Sequence, residues 1–250
     1  MKLRLHNPLK RIFITQGFGK DTAPEMLPIY QKMGLAGHNG LDYWASDGTP
    51  IYATHDGRVT FAGYDGSGGL GVVIRTNEEF ESVDGVPSFW KSISWHLKKD
   101  TLLVTGGQQV VRGQQIAQAD NTGMSTGSHL HFGLKPIAKG ENDWTWFNLD
   151  DQNGYHGAQD PTPYFVKFQN KMELGDRGYD VRDLQDFLFS LGYLKVAPTA
   201  FYGTLTANAV LEFQKKYCQL SWYERYVLRG TKVGPKTLSK LNEIHEQKTI

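Results

Sequence analysis

The sequence predicts an α+β protein, with an antiparallel β-rich region over residues 1–165 and a small helical domain over residues 173–250. In the first region, short apolar runs of strand length are separated by Gly, Asp and Asn turns. After Lys171 the apolar residues recur at spacings of three and four, which is typical of helices that bury one face. Residues 166–172, between the two patterns, are interpreted as a linker.

The β-rich region contains several runs with the length and composition of strands. Turn sequences such as Asp56-Gly57 separate them, and no strong helical pattern intervenes apart from one short helix around residues 26–33. Repeated short strands of this kind favour an antiparallel sheet. The predicted strands are 51–53, 58–62, 71–75, 92–97 and 129–134.

The C-terminal region contains three amphipathic segments, which predict a compact three-helix domain near the lower size limit for independent folding. Leu184-Gln185 in the first segment and Phe213-Gln214 in the second suggest a weak internal repeat. The spaced apolar residues are Val181, Leu184, Leu188 and Leu191, then Ala207, Val210, Leu211 and Phe213, then Leu238, Leu241 and Ile244.

Composition and charge exclude several classes of protein. A formal net charge of +1 provides no field that would draw the chain to nucleic acid or to an anionic membrane. The single cysteine, Cys218, excludes an internal disulfide and a cysteine-based zinc site. No apolar run approaches the ~18 residues of a membrane span, and the N-terminus lacks the apolar core of an export signal, roughly 7–15 residues.

Three short motifs carry histidines and a carboxylate. His38 and Asp42 flank a glycine that disfavours a helix, so Asp42 is expected in a strand and His38 in the turn before it. His129 and His131 alternate on a predicted strand, which places both imidazoles on one face. His96 lies on another predicted strand.

Neutral imidazoles and a carboxylate suit zinc, and a three-ligand set leaves a fourth position open for a water of pKa about 7. Further histidines could then act as general base and as an oxyanion stabiliser or acid. Each motif alone has a structural explanation, but the combination favours a metal-dependent hydrolase. His55, beside a turn, is instead expected to be exposed and solvated.

Several segments of the first region resemble the lysostaphin-type zinc metallopeptidases, in the order found in that family, over nearly all of residues 12–136. The resemblance implies a two-sheet antiparallel fold with one zinc ion per chain in a groove, and hydrolysis of peptidoglycan cross-links or stem peptides. The segments are Gly-His-Asn-Gly-Leu-Asp-Tyr (37–43), Thr-Pro-Ile-Tyr-Ala (49–53), Asp-Gly-Arg-Val (56–59) and Thr-Gly-Met-Ser-Thr-Gly-Ser-His-Leu-His-Phe (122–132).

The same resemblance assigns roles to the five candidate residues. It implies that the zinc ligands are His38, Asp42 and His131, and that His96 and His129 are catalytic residues outside the coordination shell. Trp95, before His96, stands where relatives often have Tyr or Ala. Residues 20–36 and 78–91 look like insertions that are expected to shape substrate choice.

The C-terminal region is similar to the α-helical peptidoglycan-binding domain that accompanies many wall hydrolases. Glycine turns such as Leu174-Gly175-Asp176 and apolar core positions carry this match, so it specifies a fold more firmly than a ligand. Residues 220–232 depart from the pattern, which leaves open whether the domain binds the wall or acts as a spacer.

Together the resemblances imply a monomeric zinc metalloendopeptidase whose partner is bacterial peptidoglycan and which acts at the cell wall, in the periplasm or outside the cell. The missing export signal favours a bacteriolytic phage-type endolysin, made in the host cytoplasm and released. The alternative is a catalytically inactive protein that binds peptidoglycan or activates another hydrolase. A glycosidase lacks a paired-carboxylate motif. The scissile bond, in a meso-diaminopimelate cross-link or a Gly-rich bridge, stays open.

Overall fold

The computed structural model describes residues 1–9, 12–141, 145–165, 168 and 170–247. The chain divides into two compact units, Met1–Phe165 and Val166–Ile250. Residues 166, 167 and 169 of the predicted linker, and residues 248–250 of the predicted helical domain, lie outside the described residues. No helix in the described ranges is long and apolar enough to cross a membrane.

The first unit is built on a nine-stranded sheet, with a separate sheet of two strands. Its strands are β1 (Ile14–Gln16), β2 (Leu41–Trp44), β3 (Pro50–Tyr52), β4 (Gly57–Asp65), β5 (Gly69–Arg75), β6 (Phe80–Glu81), β7 (Pro87–Trp95), β8 (Gln109–Val110), β9 (Gln115–Gln118), β10 (His129–Lys139) and β11 (Trp146–Asn148). Helix α1 (Leu27–Lys32) lies between β1 and β2.

All strand pairs within these two sheets are antiparallel, which confirms the predicted fold class. The large sheet runs in the order β1-β2-β10-β7-β5-β4-β8, with β11 added beside β10 and β6 beside β7. The small sheet pairs β3 with β9. Strand β10 therefore lies between β2 and β7, which brings the three histidine-bearing segments together.

Alternation along β10 separates the core from the site. Leu130 and Phe132 are fully buried in the apolar core, so His131 between them projects from the opposite face of the sheet. In the strand register His131 lies opposite Asp42 of β2 on one side and opposite Trp95 of β7 on the other. Side chains at paired positions share a face, so these three residues lie side by side.

His96 lies one residue beyond strand β7, so the prediction that it belongs to a strand is wrong. Its backbone adopts φ +63°, the left-handed region that is costly for a residue with a Cβ. The His96 amide donates to Gly68 O at 3.1 Å, and its carbonyl accepts from Asp120 N at 2.9 Å. These two hydrogen bonds hold a turn that ends the strand at the site.

The second unit contains the three expected α-helices and further small elements. The helices are α2 (Tyr179–Ser190), α3 (Thr204–Tyr217) and α4 (Pro235–Gln247), and a two-stranded sheet pairs β12 (Met172–Glu173) with β13 (Lys232–Val233). A π-helical turn, Glu224–Leu228, falls within the segment that departs from the related domains. The three-helix prediction was therefore correct for the main helices but incomplete.

The suggested internal repeat has a physical counterpart in two buried glutamines, one on α2 and one on α3. Each donates from its amide to a backbone carbonyl and to the threonine hydroxyl near the start of the next helix, so the two helices are connected in the same way. The bonds are Gln185 Nε2 to Phe201 O (2.8 Å) and Thr206 Oγ1 (2.7 Å), and Gln214 Nε2 to Lys232 O (3.0 Å) and Thr237 Oγ1 (2.9 Å).

Candidate metal centre and active site

The three side chains proposed as ligands converge on one point of the sheet face. His38 Nε2 lies 3.2 Å from Asp42 Oδ1, His131 Nδ1 lies 3.0 Å from the same oxygen, and the two nitrogens are 3.0 Å apart. Zinc bonds of about 2.0–2.1 Å at tetrahedral angles place ligand atoms roughly 3.3–3.4 Å apart. The spacing within this triad is therefore close to that of a zinc site.

A backbone bridge and a glycine near the start of β2 position the histidines of the triad. His38 forms a bridge with Gly19, each amide donating to the other's carbonyl at 2.9 and 3.1 Å. Gly40 is needed for close approach, since a Cβ there would lie 2.6 Å from Phe132 O and 2.7 Å from His131 Cε1. A larger residue at position 40 would therefore displace the His131 ring.

Hydrogen bonding determines which nitrogen of His38 faces the triad. His38 Nδ1 lies 2.7 Å from Gly17 O, and because a carbonyl only accepts, Nδ1 carries the proton. In the neutral ring Nε2 then presents its lone pair to Asp42 Oδ1 and His131 Nδ1. A cation would satisfy all three atoms at once, and a backbone-anchored imidazole is the usual arrangement for a metal-binding histidine. The donor set therefore fits zinc.

The electrostatics of the triad favour a bound cation. Burial by itself would raise the pKa of Asp42, but the adjacent imidazoles of His131 and His38 outweigh it, and the pKa lies well below its usual range. Burial lowers the pKa of His131, with the neighbouring Asp42 opposing that shift. At neutral pH the site thus presents an ionised carboxylate and a neutral His131, the protonation states that zinc requires.

His129 and His96 lie beside the triad, each anchored through Nδ1. His129 Nδ1 donates to Gly127 O at 2.8 Å, and its Nε2 lies 3.7 Å from Asp42 Oδ1. His96 Nδ1 donates to Thr122 O at 2.7 Å. The His96 and His129 rings are 4.6 Å apart between centroids. Both rings therefore keep an Nε2 lone pair for proton transfer next to the candidate metal position.

Burial lowers the pKa of His96 to about 4, and the hydrogen bond to Thr122 O only partly opposes that shift. His96 is consequently neutral at pH 7 and able to accept a proton. This is the state expected of a general base.

Trp95, which differs from the residue often seen in relatives, is accommodated by a glycine in the next strand. A Cβ on Gly71 would lie 1.7 Å from the Trp95 ring, so the indole covers that backbone directly. The ring also meets Phe61 edge-on, with centroids 5.8 Å apart. Trp95 thus forms an aromatic wall beside His131.

Two residues that the sequence did not indicate also contact the site. Tyr30, on α1 within the inserted segment 20–36, stacks on His38 with centroids 5.7 Å apart and donates from its hydroxyl to Gln16 Oε1 at 3.0 Å. Gln16 pairs with Asp42 across β1 and β2, so it lies on the same face. Residue types alone gave no signal for this pair, because neither belongs to a metal-binding motif.

His55 is buried, contrary to the expectation that it is exposed, with 5% of its surface accessible. Its Nδ1 donates to Asp56 O at 2.9 Å, and within the described part of the chain the buried Nε2 has no hydrogen-bond partner. Burial lowers the pKa of His55. His55 is not among the residues of the candidate metal centre.

Comparison with protein families finds a match in each unit. Residues 36–143 match Peptidase family M23, and residues 177–219 match a putative peptidoglycan binding domain. A region similar to the M23 peptidases is therefore followed by a region similar to a peptidoglycan-binding domain, in the predicted order. All five candidate site residues fall within the first match.

Three curated relatives illustrate the range of similar proteins. Peptidoglycan DD-endopeptidase ShyB of Vibrio cholerae is 41% identical over 38% of this chain and 20% of its own length. Glycyl-glycine endopeptidase ALE-1 of Staphylococcus capitis is 34% identical over 49% of this chain and 34% of its own. The murein hydrolase activator NlpD of Escherichia coli is 35% identical over 42% and 25% respectively. The chain thus spans between a fifth and about a third of these relatives.

Proposed function

We propose that the protein is a zinc-dependent endopeptidase that hydrolyses peptide bonds of bacterial peptidoglycan. The observation that carries the proposal is the set of ligand atoms of His38, Asp42 and His131, spaced 3.0–3.2 Å apart with two anchored histidines beside them. The endopeptidases among the similar proteins support the same reaction.

Zinc held by the triad would act as a Lewis acid on the scissile carbonyl and lower the pKa of the attacking water. The chain itself contributes proton transfer and orientation. One of His96 and His129 accepts the water proton at Nε2, and the other stabilises the oxyanion or protonates the leaving amine. The carbonyls of Thr122 and Gly127 hold the two rings in the tautomer that this requires.

The second unit is proposed to hold the enzyme on its substrate. Its match to a putative peptidoglycan binding domain supports this role. Tethering to an insoluble polymer raises the effective concentration of the catalytic site near the bonds it cuts. The order of a catalytic and a wall-binding domain also suits a bacteriolytic enzyme, and we extend the proposal to a phage-type endolysin.

Digestion of purified peptidoglycan by the zinc-loaded protein tests the reaction. We expect new amino groups without new reducing sugar ends, and mass spectrometry of the fragments identifies the bond. New reducing ends would instead indicate a glycosidase. An absence of both, with stimulation of a separate wall hydrolase, would favour the activator function that the NlpD relative represents.

A further inference from the structure

Four cationic side chains form a continuous row across the middle of the large sheet. Lys135 of β10 pairs with Lys91 of β7, Lys91 pairs with Arg75 of β5, and Arg75 pairs with Arg58 of β4. We call these residues the cationic row. Like charges directly opposite on neighbouring strands destabilise a sheet. Four in succession therefore require an explanation.

The cationic row lies on the same face of the sheet as the candidate metal centre. Lys135 follows His131 by four positions on β10, and even spacings along a strand share a face. Lys91 has the same relation to Trp95 on β7. At a rise of about 3.3 Å per residue, the cationic row lies roughly 13 Å from the metal ligands along the strands.

The two lysines are half-buried and poorly neutralised. Burial lowers the pKa of Lys135 to about 8, the neighbouring Lys91 lowers it further, and Asp151 opposes both effects. Burial likewise lowers the pKa of Lys91. In the described part of the chain, no member of the cationic row has a carboxylate within ion-pair distance. Lys135 Nζ instead donates to His156 O at 2.7 Å.

Arg75 is held in place but retains an unused donor. Its Nη1 donates to Thr76 O at 2.8 Å, and the guanidinium carbon lies 4.0 Å from the centre of the Trp146 ring. Its Nε is buried and has no hydrogen-bond partner among the residues that the structure describes. A buried donor that lacks an acceptor destabilises the fold, and an oxygen atom of an incoming ligand would satisfy this one.

We propose that the cationic row binds free carboxylates of an acidic peptide substrate whose scissile bond lies at the metal centre. The inference rests on the proposed function for the identity of the peptide. An extended peptide spans about 3.3–3.6 Å per residue, so roughly four residues separate the scissile bond from the bound carboxylate. Stem peptides and a diaminopimelate cross-link carry such carboxylates, whereas a glycine bridge carries none. The cationic row therefore favours the acidic cross-link.

Calorimetric binding of two uncross-linked stem peptides tests the inference separately from catalysis. One peptide carries free carboxylates, and in the other the same carboxylates are amidated. We expect the wild-type protein to bind the free acid about tenfold more tightly. In the double variant K91Q/K135Q the preference should fall to about threefold or less, because two of the four charges of the cationic row are gone. The exposed Lys99→Gln variant is the matched control and should keep the wild-type preference.

Equal affinities of the wild-type protein for the two peptides would overturn the inference, as would an unchanged preference in the double variant. If the double variant fails to fold, the exposed Arg58→Gln variant and a salt series on the wild type decide the question. The preference should shrink in Arg58→Gln and with rising ionic strength, since an electrostatic site is screened. If neither Arg58→Gln nor added salt reduces the preference for the free acid, the cationic row does not bind the carboxylates. Failure to cut peptidoglycan would contradict the proposed function and leave this binding result standing by itself.

Discussion

The two units treat buried polar side chains in opposite ways. In the second unit, Gln185 and Gln214 are almost fully buried, and each amide nitrogen donates to a carbonyl and a hydroxyl. In the first unit, a carboxylate oxygen of Asp42 and one ring nitrogen each of His38 and His131 converge within 3.0–3.2 Å. The glutamine contacts are complete within the chain, whereas a cation bound between its three atoms would complete the candidate triad.

This difference separates polar groups that build the fold from those that perform chemistry. A satisfied buried polar group rigidifies its surroundings and needs nothing from outside the protein. Acceptor atoms that converge are held together at a cost in free energy, which a bound metal ion would recover. Hydrogen bonding therefore distinguishes the two roles where burial does not. The variants below test this distinction.

The largest expected effect is that of His131→Ala, which removes one of the three proposed zinc ligands. Zinc affinity should fall by more than about 100-fold, since loss of an outer hydrogen-bond partner alone costs about 10–100-fold. Elemental analysis after dialysis should show about one zinc per wild-type chain and almost none in the variant. His156→Ala, outside the triad, is the control and should retain zinc. Full occupancy in His131→Ala would show that this ligand is wrongly assigned.

His129→Ala should separate metal binding from proton transfer. Its ring is anchored by Gly127 O and lies beside Asp42 without belonging to the triad. We expect normal zinc content and a fall in kcat of about 10²–10⁴-fold, the usual contribution of a positioned acid or base. A variant with wild-type turnover would exclude His129 from catalysis, and one without zinc would make it a ligand.

Gln185→Ala should affect stability without affecting the metal. Its Oε1 also accepts from the amides of Thr199 and Ala200 at 2.9 and 2.8 Å, so several buried groups lose their partner. We expect the free energy of unfolding to fall by about 1–3 kcal/mol in denaturant titration, with zinc content unchanged. The exposed Gln219→Ala serves as the control. Reduced zinc binding in Gln185→Ala would contradict the separation of roles.

The smallest effect concerns His55, a buried histidine outside both groups. Its pKa is lowered by burial relative to the unfolded chain, so the unfolded state binds more protons at acidic pH. This contribution to stability is complete above about pH 6.5 and is lost as the pH falls below it, by at most about 1.4 kcal/mol per pH unit. His55→Leu should weaken the loss of stability between pH 7 and 5, measured by urea unfolding. An identical pH dependence in both proteins would exclude this role.

The sequence by itself determined the fold class, the main helices and strands, and the candidate site residues, because these depend on local spacing and on motifs. Alternation around His131 was enough to place it on a strand face opposite Leu130 and Phe132, as the structure shows. The conformation of His96 was not predicted, since no local sequence pattern indicates that its backbone lies in the left-handed region. The burial of His55 was also not predicted. A turn sequence indicates exposure, but whether other segments of the chain pack over the turn depends on the tertiary structure.

Only the tertiary structure decided what depends on strand pairing between distant segments. Antiparallel pairing of β10 with β2 brings His131 within 3.0 Å of His38, which lies 93 positions earlier in the chain. The carbonyls that anchor the histidines, and the pairing that aligns Lys135 with Lys91, arise in the same way. Sequence spacing sets which face a side chain occupies within one strand, but register between strands sets which side chains meet.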